Sequence, residues 1–195
     1  MEDEAAREAR IEALLERMDT TEKVALAAGS ALWYSTPLPR LGMPALKLSD
    51  GPNGVRGDGS VPGMTAIGFP AGAALAASWD PDLVAEVASA LGEEARAKGV
   101  DVLLGPTINL HRTPVGGRNF ESYSEDPHLT GELAVAYVRA LQARGVAACP
   151  KHFVCNDAEY RRHSVSVEGD RRTLHEVYLR PFERAVREGG AWALM

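Results

Sequence analysis

The sequence predicts an α/β fold built on a parallel sheet. Three segments of helical periodicity end at glycines, Gly99, Gly145 and Gly189, which lie 46 and 44 residues apart. A short apolar run follows each glycine directly, and this alternation of helix and buried strand is typical of βαβ units. The polar and glycine-rich segments follow the strands, whereas the helix-to-strand turns are short. Ligand-binding residues are therefore expected beyond the carboxyl ends of the strands.

Four short, mostly apolar runs are the predicted strands, at residues 46–49, 101–104, 146–150 and 191–195. Short apolar runs of this kind are typical of strands buried in a parallel sheet. The chain stops inside the fourth run without a polar tail, whereas a native terminus is usually exposed. We therefore expect the sequence to be truncated within the sheet.

The helices between these strands have recognisable ends. Asp80-Pro81 and Asp126-Pro127 each place a capping carboxylate before a proline at the first helical position. Thr173 with Glu176 predicts a capping box for a third helix. Pro181 predicts a kink in that helix because it removes a backbone hydrogen bond.

Two further helices are predicted ahead of the sheet. An apolar stripe at helical spacing indicates that residues 1–19 form an N-terminal helical extension. Thr20 or Thr21 is expected to cap a short second helix. Residues 20–195 are assigned to the domain that contains the sheet.

Composition narrows the class of protein. The 195 residues carry a net charge of −6, with 45% hydrophobic and 25% charged residues, as in soluble globular proteins of one or two domains. The basic residues are scattered, which disfavours a nucleic-acid partner. The first four residues are acidic where a secretory signal would be basic, and no apolar run is long enough to span a membrane. The sequence predicts a soluble, cytoplasmic protein, with no feature that indicates its oligomeric state.

Neither a metal nor another cofactor is expected. The five histidines show no HxH or HExxH spacing, and the chain has no P-loop and no GxSxG elbow. Cys149 and Cys155 lie six residues apart without a CxxC motif. On one strand they would be too far apart to bridge, so free, buried thiols in a reducing cytosol are predicted.

Polar residues cluster after each of the first three predicted strands. They are Asp50 and Arg56 after the first, Arg118 and Glu121 after the second, and Lys151, His152, Asn156, Asp157, Glu159 and Arg162 after the third. A carboxylate can accept hydrogen bonds from two vicinal hydroxyls, while lysine, histidine and arginine donate to others. The converging clusters therefore suit a ligand covered in hydroxyl groups.

Each of these residues also has a purely structural interpretation. Asp50 precedes Gly-Pro and could be a turn aspartate. His152 could be a hydrogen-bonded core histidine. Arg56 and Arg162 could be surface charges, and Arg118 could form a weak surface ion pair within its glycine-rich loop.

Four segments in this order resemble glycoside hydrolase family 3. They are residues 48–56 (LSDGPNGVR), 105–112 (GPTINLHR), 117–127 (GRNFESYSEDP) and 151–154 (KHFV). The resemblance is to the β-glucosidase branch. The family's N-acetylglucosaminidases follow Lys-His-Phe with a Pro-Gly-His-Gly type loop that carries a catalytic histidine, and Val154–Asp157 depart from that pattern.

The resemblance extends from about residue 20 to residue 195 and implies a fold and an activity. It implies that the chain holds about the first four βα units of a TIM-like (β/α)8 barrel, truncated at the fourth strand, with an α/β sandwich domain to follow in the family. The implied substrates are β-glucosides or related glycosides, hydrolysed with retention from the non-reducing end.

The resemblance also implies roles for individual residues. In the family, the residue at the position of Asp50 binds the hydroxyl groups of glucose in the −1 subsite. The residues implied to bind that sugar or to line its pocket are Asp50, Arg56, Arg118, Lys151, His152, Arg162 and, on the fourth strand, Met195.

The catalytic pair of the family has no match in this chain. Retaining glycosidases need a nucleophile and an acid/base. In the family both come from positions that would lie beyond Met195, while Asp50 is interpreted as a ground-state binder and Glu121 as structural. The 195-residue chain alone is therefore predicted to be an inactive fragment of a β-glucosidase.

Three alternatives stay open. The chain could be a non-catalytic carbohydrate-binding or regulatory remnant, which a stop codon after Met195 would favour over an in-frame continuation. The specificity could be of the β-xylosidase type. A doubly wound nucleotide-binding domain is disfavoured because no glycine-rich phosphate turn follows a strand.

Overall fold

A computed structural model describes residues 3–57 and 65–195. Contacts between Cα atoms divide the chain into two compact units, Met1–Lys47 and Leu48–Met195. Within the described residues, no helix combines the length and the apolar character that crossing a membrane requires.

The first unit consists of two helices and a small hairpin. Its elements are α1 (Glu4–Arg17), α2 (Thr20–Ala27), and the antiparallel strands β1 (Gly29–Ala31) and β2 (Tyr34–Ser35). Asp19 caps α2, with its carboxylate accepting from the Glu22 N–H at 2.8 Å and Glu22 bonding back to the Asp19 N–H. The predicted cap at Thr20 or Thr21 was wrong, because the carboxylate one residue earlier completes a reciprocal capping box and places both threonines inside the helix.

The second unit contains the predicted parallel sheet. Its strands β3 (Leu48–Asp50), β4 (Val102–Leu104) and β5 (Ala147–Ala148) lie side by side in chain order. Leu48 pairs with Val102, and Leu103 pairs with Ala148. The strands are two or three residues long, slightly shorter than predicted, and all three carboxyl ends meet at one edge of the sheet.

The predicted fourth strand at residues 191–195 is not formed. In this segment Met195 alone makes strand-like backbone hydrogen bonds, donating to Pro150 O at 3.1 Å and accepting from Phe153 N–H at 2.6 Å. Trp192 is 63% exposed, so the apolar composition does not reflect burial in a ladder. Apolar character predicted a strand here, but a strand also requires a continuous run of paired backbone groups.

Helices follow the strands of this unit, and α3 is the one among them that the sequence did not predict. They are α3 (Gly72–Ala76), α4 (Pro81–Ala97), α5 (Pro127–Gln142), α6 (Arg171–Thr173) and α7 (Arg180–Arg187), with a π-helical turn at Leu174–Tyr178 between the last two. Asp80 and Asp126 cap α4 and α5 as predicted, each accepting two backbone N–H bonds. Asp170, not a Thr173 capping box, caps α6, because its carboxylate accepts the Thr173 N–H at 2.8 Å.

The hydrophobic core packs the sheet against α4 and α5. Its largest fully buried apolar side chains include Leu91, Leu103, Leu133, Tyr137 and Leu141. Full burial of such side chains contributes roughly 1.5–3 kcal/mol each. The strand ends that carry the polar clusters are therefore held in place by a well-packed hydrophobic core.

Glu94 on α4 and Lys98, the C-cap residue of that helix, hold the backbone on both sides of residues 58–64. Lys98 Nζ donates to Val55 O at 2.6 Å and to Thr65 O at 2.7 Å, and pairs with Glu94. The Glu94 carboxylate accepts from the N–H groups of Val55 and Ile67. This four-point attachment, the α4 clamp, fixes the chain that leaves β3.

Candidate functional site

The candidate site lies at the carboxyl ends of the three parallel strands. Asp50 is the last residue of β3, and Lys151 follows β5 by three residues. Thr107, just beyond β4, forms isolated backbone bridges with Ser122 and with Lys151. These bridges bring the loop that carries Arg118 next to the segment that carries Lys151.

Asp50 is shared between two cations. Its Oδ1 accepts from Lys151 Nζ at 2.8 Å, and its Oδ2 accepts from the Arg56 guanidinium. Lys151 is only 3% exposed and Asp50 is 26% exposed. Burial works to raise the pKa of Asp50, but the hydrogen bond and charge of Lys151, together with Arg56, outweigh burial and hold the pKa below its ordinary value. Asp50 is therefore an ionised acceptor at neutral pH.

Arg118 is fixed by Glu121 in the same loop. Its Nε donates to Glu121 Oε1, and Thr107 Oγ1 donates to Glu121 Oε2 at 2.9 Å. Burial works to raise the pKa of Glu121, but the bonds from Arg118 and Thr107 and the charge of Lys151 outweigh it and lower the pKa. Glu121 therefore acts as an ionised brace that orients Arg118.

Glu159 connects Arg118 to Arg162. Its Oε2 accepts from Arg162 Nη1 at 2.9 Å, and its Oε1 lies 3.9 Å from Arg118 Nη1. Arg162 is half exposed, so this pair contributes little to stability by itself. The pair places Arg162 beside Glu159 and not directly against Asp50.

His152 is held by Asn109. Asn109 Oδ1 accepts from the backbone N–H of His152 at 2.8 Å and lies 3.1 Å from the ring Nδ1. Burial, followed by the positive charges of Arg118 and Lys151, lowers the pKa of His152 to about 4. The ring is therefore neutral at physiological pH.

A cavity of about 220 Å³ opens beside these side chains. Its lining residues are Asp50, Gly51, Pro52, Asn53, Gly54, Arg56, Arg118, Phe120 and Glu121. Three of the seven predicted site residues, Asp50, Arg56 and Arg118, line it directly. Lys151 is connected to it through its bond to Asp50.

The other predicted residues lie at different distances from this cavity. His152 directly follows Lys151, and Arg162 reaches the site through Glu159. Met195 flanks the Lys151–His152 segment through its two backbone hydrogen bonds, and its side chain is 44% exposed. The structure thus holds six of the seven residues in three hydrogen-bonded or ion-paired groups and places Met195 beside them. The groups are Asp50 with Lys151 and Arg56, Arg118 with Glu121, Glu159 and Arg162, and His152 with Asn109.

Sequence reasoning missed two partners and left a third without a role. Thr107 and Asn109 bond to Glu121 and His152 across 14 and 43 residues of chain. Glu159 was noted as part of a cluster but was not assigned to the site. The available signal was weak: Thr107 and Asn109 are polar residues in a segment where alternate neighbours are apolar, directly after a predicted strand.

Neither cysteine forms a disulfide, and the part of the chain that the structure describes holds no candidate metal centre. Cys149 and Cys155 are both free, with Cys149 buried and Cys155 partly exposed. Burial raises the pKa of both thiols. Residues 3–57 and 65–195 contain no group of histidine, cysteine and acidic side chains arranged to hold a metal ion.

Chemically, the site offers one accessible carboxylate acceptor surrounded by fixed donors. Asp50 accepts, Arg56 and Arg118 donate, and His152 is neutral. The carboxylates of Asp50 and Glu121 are both ionised and ion-paired. The geometry suits a neutral polyhydroxylated ligand that both donates and accepts hydrogen bonds.

Comparison with known proteins gives a consistent result. Residues 16–195 match the Glycosyl hydrolase family 3 N terminal domain. The chain is 49% identical over 186 residues to a β-glucosidase of Rhizobium radiobacter, covering 95% of this chain and 23% of that protein. It is 47% identical over 187 residues to β-glucosidase B of Emericella nidulans, covering 96% and 22%.

Solved structures show the same architecture. β-Glucosidase 3B from Thermotoga neapolitana, in complex with glucose, superimposes with a TM-score of 0.91 at 40% identity, covering 95% of this chain and 29% of that one. The β-glucosidase of Kluyveromyces marxianus, also in complex with glucose, gives a TM-score of 0.92 at 42% identity, covering 95% and 22%. The chain spans less than a third of the length of these relatives. The α/β fold, the order of the motifs and the match over residues 16–195 establish that the chain belongs to glycoside hydrolase family 3.

Proposed function

We propose that residues 48–195 form the sugar-binding half of a β-glucosidase active site. The observation that carries this proposal is Asp50, an ionised carboxylate held by Lys151 and Arg56 at the wall of a small cavity beyond the strand ends. Relatives at 40–50% identity bear the name β-glucosidase, and two of the superimposed structures contain glucose.

The cavity dimensions support a single sugar as the ligand in the −1 subsite. At about 220 Å³ the cavity is smaller than the roughly 300–1,000 Å³ of pockets that hold drug-sized molecules. Asp50 is placed to accept from vicinal hydroxyls, and Arg118 is oriented by Glu121 to donate. Arg162 braces the site through Glu159, while Met195 is assigned to its edge.

The catalytic pair is proposed to come from outside these 195 residues. A retaining glycosidase places two carboxyl groups about 5–5.5 Å apart, and its acid/base needs a raised pKa. Asp50 and Glu121 both have lowered pKa values because cations pair with them, so neither suits the role of a general acid. The whole protein would be a retaining, exo-acting hydrolase of β-glucosides, whereas this chain would bind sugar without cleaving it.

A second proposal concerns the fold of the whole domain. We infer that residues 20–195 are the N-terminal part of a TIM-like (β/α)8 barrel, with residues 1–19 as a helical extension. Three adjacent parallel strands with intervening helices support this, as do the backbone bonds that Met195 makes beside β5. A cytoplasmic location stays a prediction of the sequence.

Glucose binding by the 195-residue chain tests the proposed site. We expect Asp50→Asn to weaken binding at least tenfold, because an amide loses the charge-assisted bonds that a carboxylate makes. Asp82→Asn, an equal charge change at an exposed position on α4, should leave the affinity unchanged. Equal affinity of Asp50→Asn and the unaltered chain would remove Asp50 from the site.

Turnover tests the second half of the proposal. The purified 195-residue chain should release no product from an aryl β-glucoside. Measurable hydrolysis that disappears in Asp50→Asn would show that the chain carries its own catalytic carboxylates. Parallel titrations with glucose and xylose would separate β-glucosidase from β-xylosidase specificity.

A non-catalytic carbohydrate-binding or regulatory role is the second candidate. It is favoured by one observation, that both carboxylates at the cavity are committed to ion pairs. It predicts the same sugar binding. The coding sequence after Met195 distinguishes the two, since a continuous reading frame supports the enzyme and a stop codon supports the binding protein.

A further inference from the structure

Asn109 holds His152 through three hydrogen bonds. Its Oδ1 accepts from the His152 backbone N–H at 2.8 Å and lies 3.1 Å from the ring Nδ1, while its Nδ2 donates to the His152 backbone carbonyl at 2.9 Å. Asn109 is 4% exposed, so its amide is enclosed by protein. One side chain therefore fixes both the backbone and the ring of His152.

The backbone of His152 determines which way the Asn109 amide points. With the amide turned over, its NH₂ group would face an N–H donor and its oxygen would face a carbonyl, so both backbone bonds would be lost. Oδ1 must therefore be the atom beside Nδ1. An amide oxygen can only accept, so Nδ1 must carry the proton, and in a neutral ring Nε2 is then an acceptor.

We propose that Asn109 is a positioning residue that locks His152 in the Nδ1–H tautomer, so that Nε2 accepts a hydrogen bond from a ligand hydroxyl. The tautomer follows from contacts within the chain. The identity of the ligand rests on the proposed sugar-binding function.

The charges around the ring reinforce this arrangement. Burial lowers the pKa of His152 first, and the charges of Arg118 and Lys151 lower it further, outweighing the opposite effects of Glu121 and Glu159. Protonation of Nε2, which would turn the acceptor into a donor, is thereby prevented at neutral pH.

His152 does not line the cavity itself, so the proposal requires a ligand that extends from the cavity to Nε2, and such a ligand would have to carry hydroxyl groups. The cations of the site can only donate, whereas His152 Nε2 and Asp50 can only accept. A ligand group that contacts both kinds must donate and accept at once, and a hydroxyl does so. An ether or carbonyl oxygen cannot satisfy Nε2 and leaves it unpaired, which costs affinity.

Nitrogen NMR of the ¹⁵N-histidine-labelled 195-residue chain at pH 7 tests the tautomer without any ligand. We expect a protonated, pyrrole-type Nδ1 and an unprotonated, pyridine-type Nε2 for His152, assigned by the signals lost in His152→Gln. A protonated Nε2 in the unaltered chain overturns the proposal.

Two variants of Asn109 separate positioning from general support. Asn109→Ala should reduce the ratio of Nδ1–H to Nε2–H roughly two- to tenfold, the equivalent of one hydrogen bond. Asn109→Asp should keep the Nδ1–H tautomer, since a carboxylate also accepts from Nδ1, and should raise the pKa of His152. An unchanged ratio in Asn109→Ala overturns the proposal, and if that variant does not fold, loss of the tautomer in Asn109→Asp does so.

Asn119→Ala is the matched control. The Asn119 amide donates to Thr113 O at 2.6 Å, whereas the hydrogen bonds of His152 are made with Asn109. Its loss should leave the His152 tautomer unchanged, and a shift equal to that of Asn109→Ala would count against a specific role for Asn109.

Addition of glucose tests the ligand contact. Nε2 of His152 should shift on binding while Nδ1 stays constant. Glucose that binds without moving Nε2 overturns the hydroxyl contact. Glucose that fails to bind counts against the proposed function, whereas the positioning role is decided by the ligand-free spectrum in every case.

Discussion

Lys151 is a buried cation whose charge is balanced mainly by Asp50. Its side chain is 3% exposed and its Nζ lies 2.8 Å from Asp50 Oδ1. An isolated buried charge is strongly unfavourable, so Lys151 is paired with Asp50, and Arg56 binds the other oxygen of the same carboxylate. Removing either residue deprives the other, in a largely buried position, of its closest opposite charge.

Lys151→Met should destabilise the protein and raise the pKa of Asp50. Breaking a fully buried pair costs about 3–5 kcal/mol, and we expect about 2 kcal/mol here because Asp50 is a quarter exposed. Urea unfolding at pH 7 measures the loss. Lys23→Met, at an exposed position on α2, should change stability by less than about 0.5 kcal/mol.

The sign of the pH effect follows from the direction of the Asp50 shift. Its folded pKa is lower than its unfolded pKa, so its contribution to stability is present above the unfolded value and is lost as pH falls through the folded value. The destabilisation caused by Lys151→Met should therefore shrink at acid pH. A loss that is as large at pH 2 as at pH 7 would contradict the pairing.

His152 gives a second pH dependence with the same sign. Its folded pKa of about 4 lies below the ordinary 6.5, so the unfolded chain binds the proton more tightly. Stability should fall as pH drops from 6.5 to 4, and His152→Gln should flatten that slope. The ring proton resonances of His152 should titrate with a midpoint near 4, and a midpoint near 6.5 would show that the ring is solvated.

The residues of the site differ in how far sequence could identify them. Asp50 ends β3 and Arg118 lies on the glycine-rich loop after β4, and both line the cavity beyond the strand ends, where the sequence predicted polar clusters. Asn109 and Thr107 act through contacts with residues far along the chain, which no local pattern encodes. Arg162 was placed by resemblance, and the structure shows that Glu159 connects it to Arg118.

At the scale of elements, α3 supports the loop that carries Arg118. A Cβ atom at Gly72 would lie 2.3 Å from the Glu121 carbonyl oxygen, so the two backbones touch without room for a side chain. Gly72 begins α3, and its contact is the backbone of the residue that braces Arg118. The packing of this helix therefore sets the position of the loop.

Gly72→Ala should destabilise the protein by about 1–3 kcal/mol, the usual range for overpacking, and should weaken glucose binding by displacing Glu121. Thermal unfolding and a glucose titration measure the two effects. Gly68→Ala is the matched control, because a Cβ at Gly68 meets nothing within 4 Å. Equal stability of the two variants would show that α3 can move away without cost.

Element ends were predictable where the signal was local. The Asp-Pro starts of α4 and α5 were correct because the cap and the first helical residue are adjacent in sequence. Asp19 and Asp170 were missed because a threonine nearby offered an equally plausible cap. The strand predicted at residues 191–195 was wrong because a strand needs a continuous run of paired backbone groups, and in this segment only Met195 makes such bonds.

At the scale of the molecule, all the candidate site residues belong to the unit Leu48–Met195. The other unit, Met1–Lys47, has its own small cluster of buried side chains, formed by Met18, Leu38 and Leu41. Compact units with separate cores can in principle fold alone. The geometry of the candidate site should therefore not depend on the first 47 residues.

A chain that lacks residues 1–47 should stay folded and keep its glucose affinity within about twofold of the full chain. Circular dichroism and the dispersion of amide resonances report the fold, and the ¹⁵N signals of His152 report the site. A truncated chain that folds but has lost the His152 signature would show that the first unit takes part in forming the site.

The α4 clamp has a consequence for how this domain can change in length. Glu94 and Lys98 hold the backbone at Val55 and again at Thr65 and Ile67, so both ends of the intervening chain are anchored to one helix. A change in the length of the intervening chain should therefore leave Arg56 and Asp50 in place, because the contacts that hold Val55 come from Glu94 and Lys98 and not from that chain.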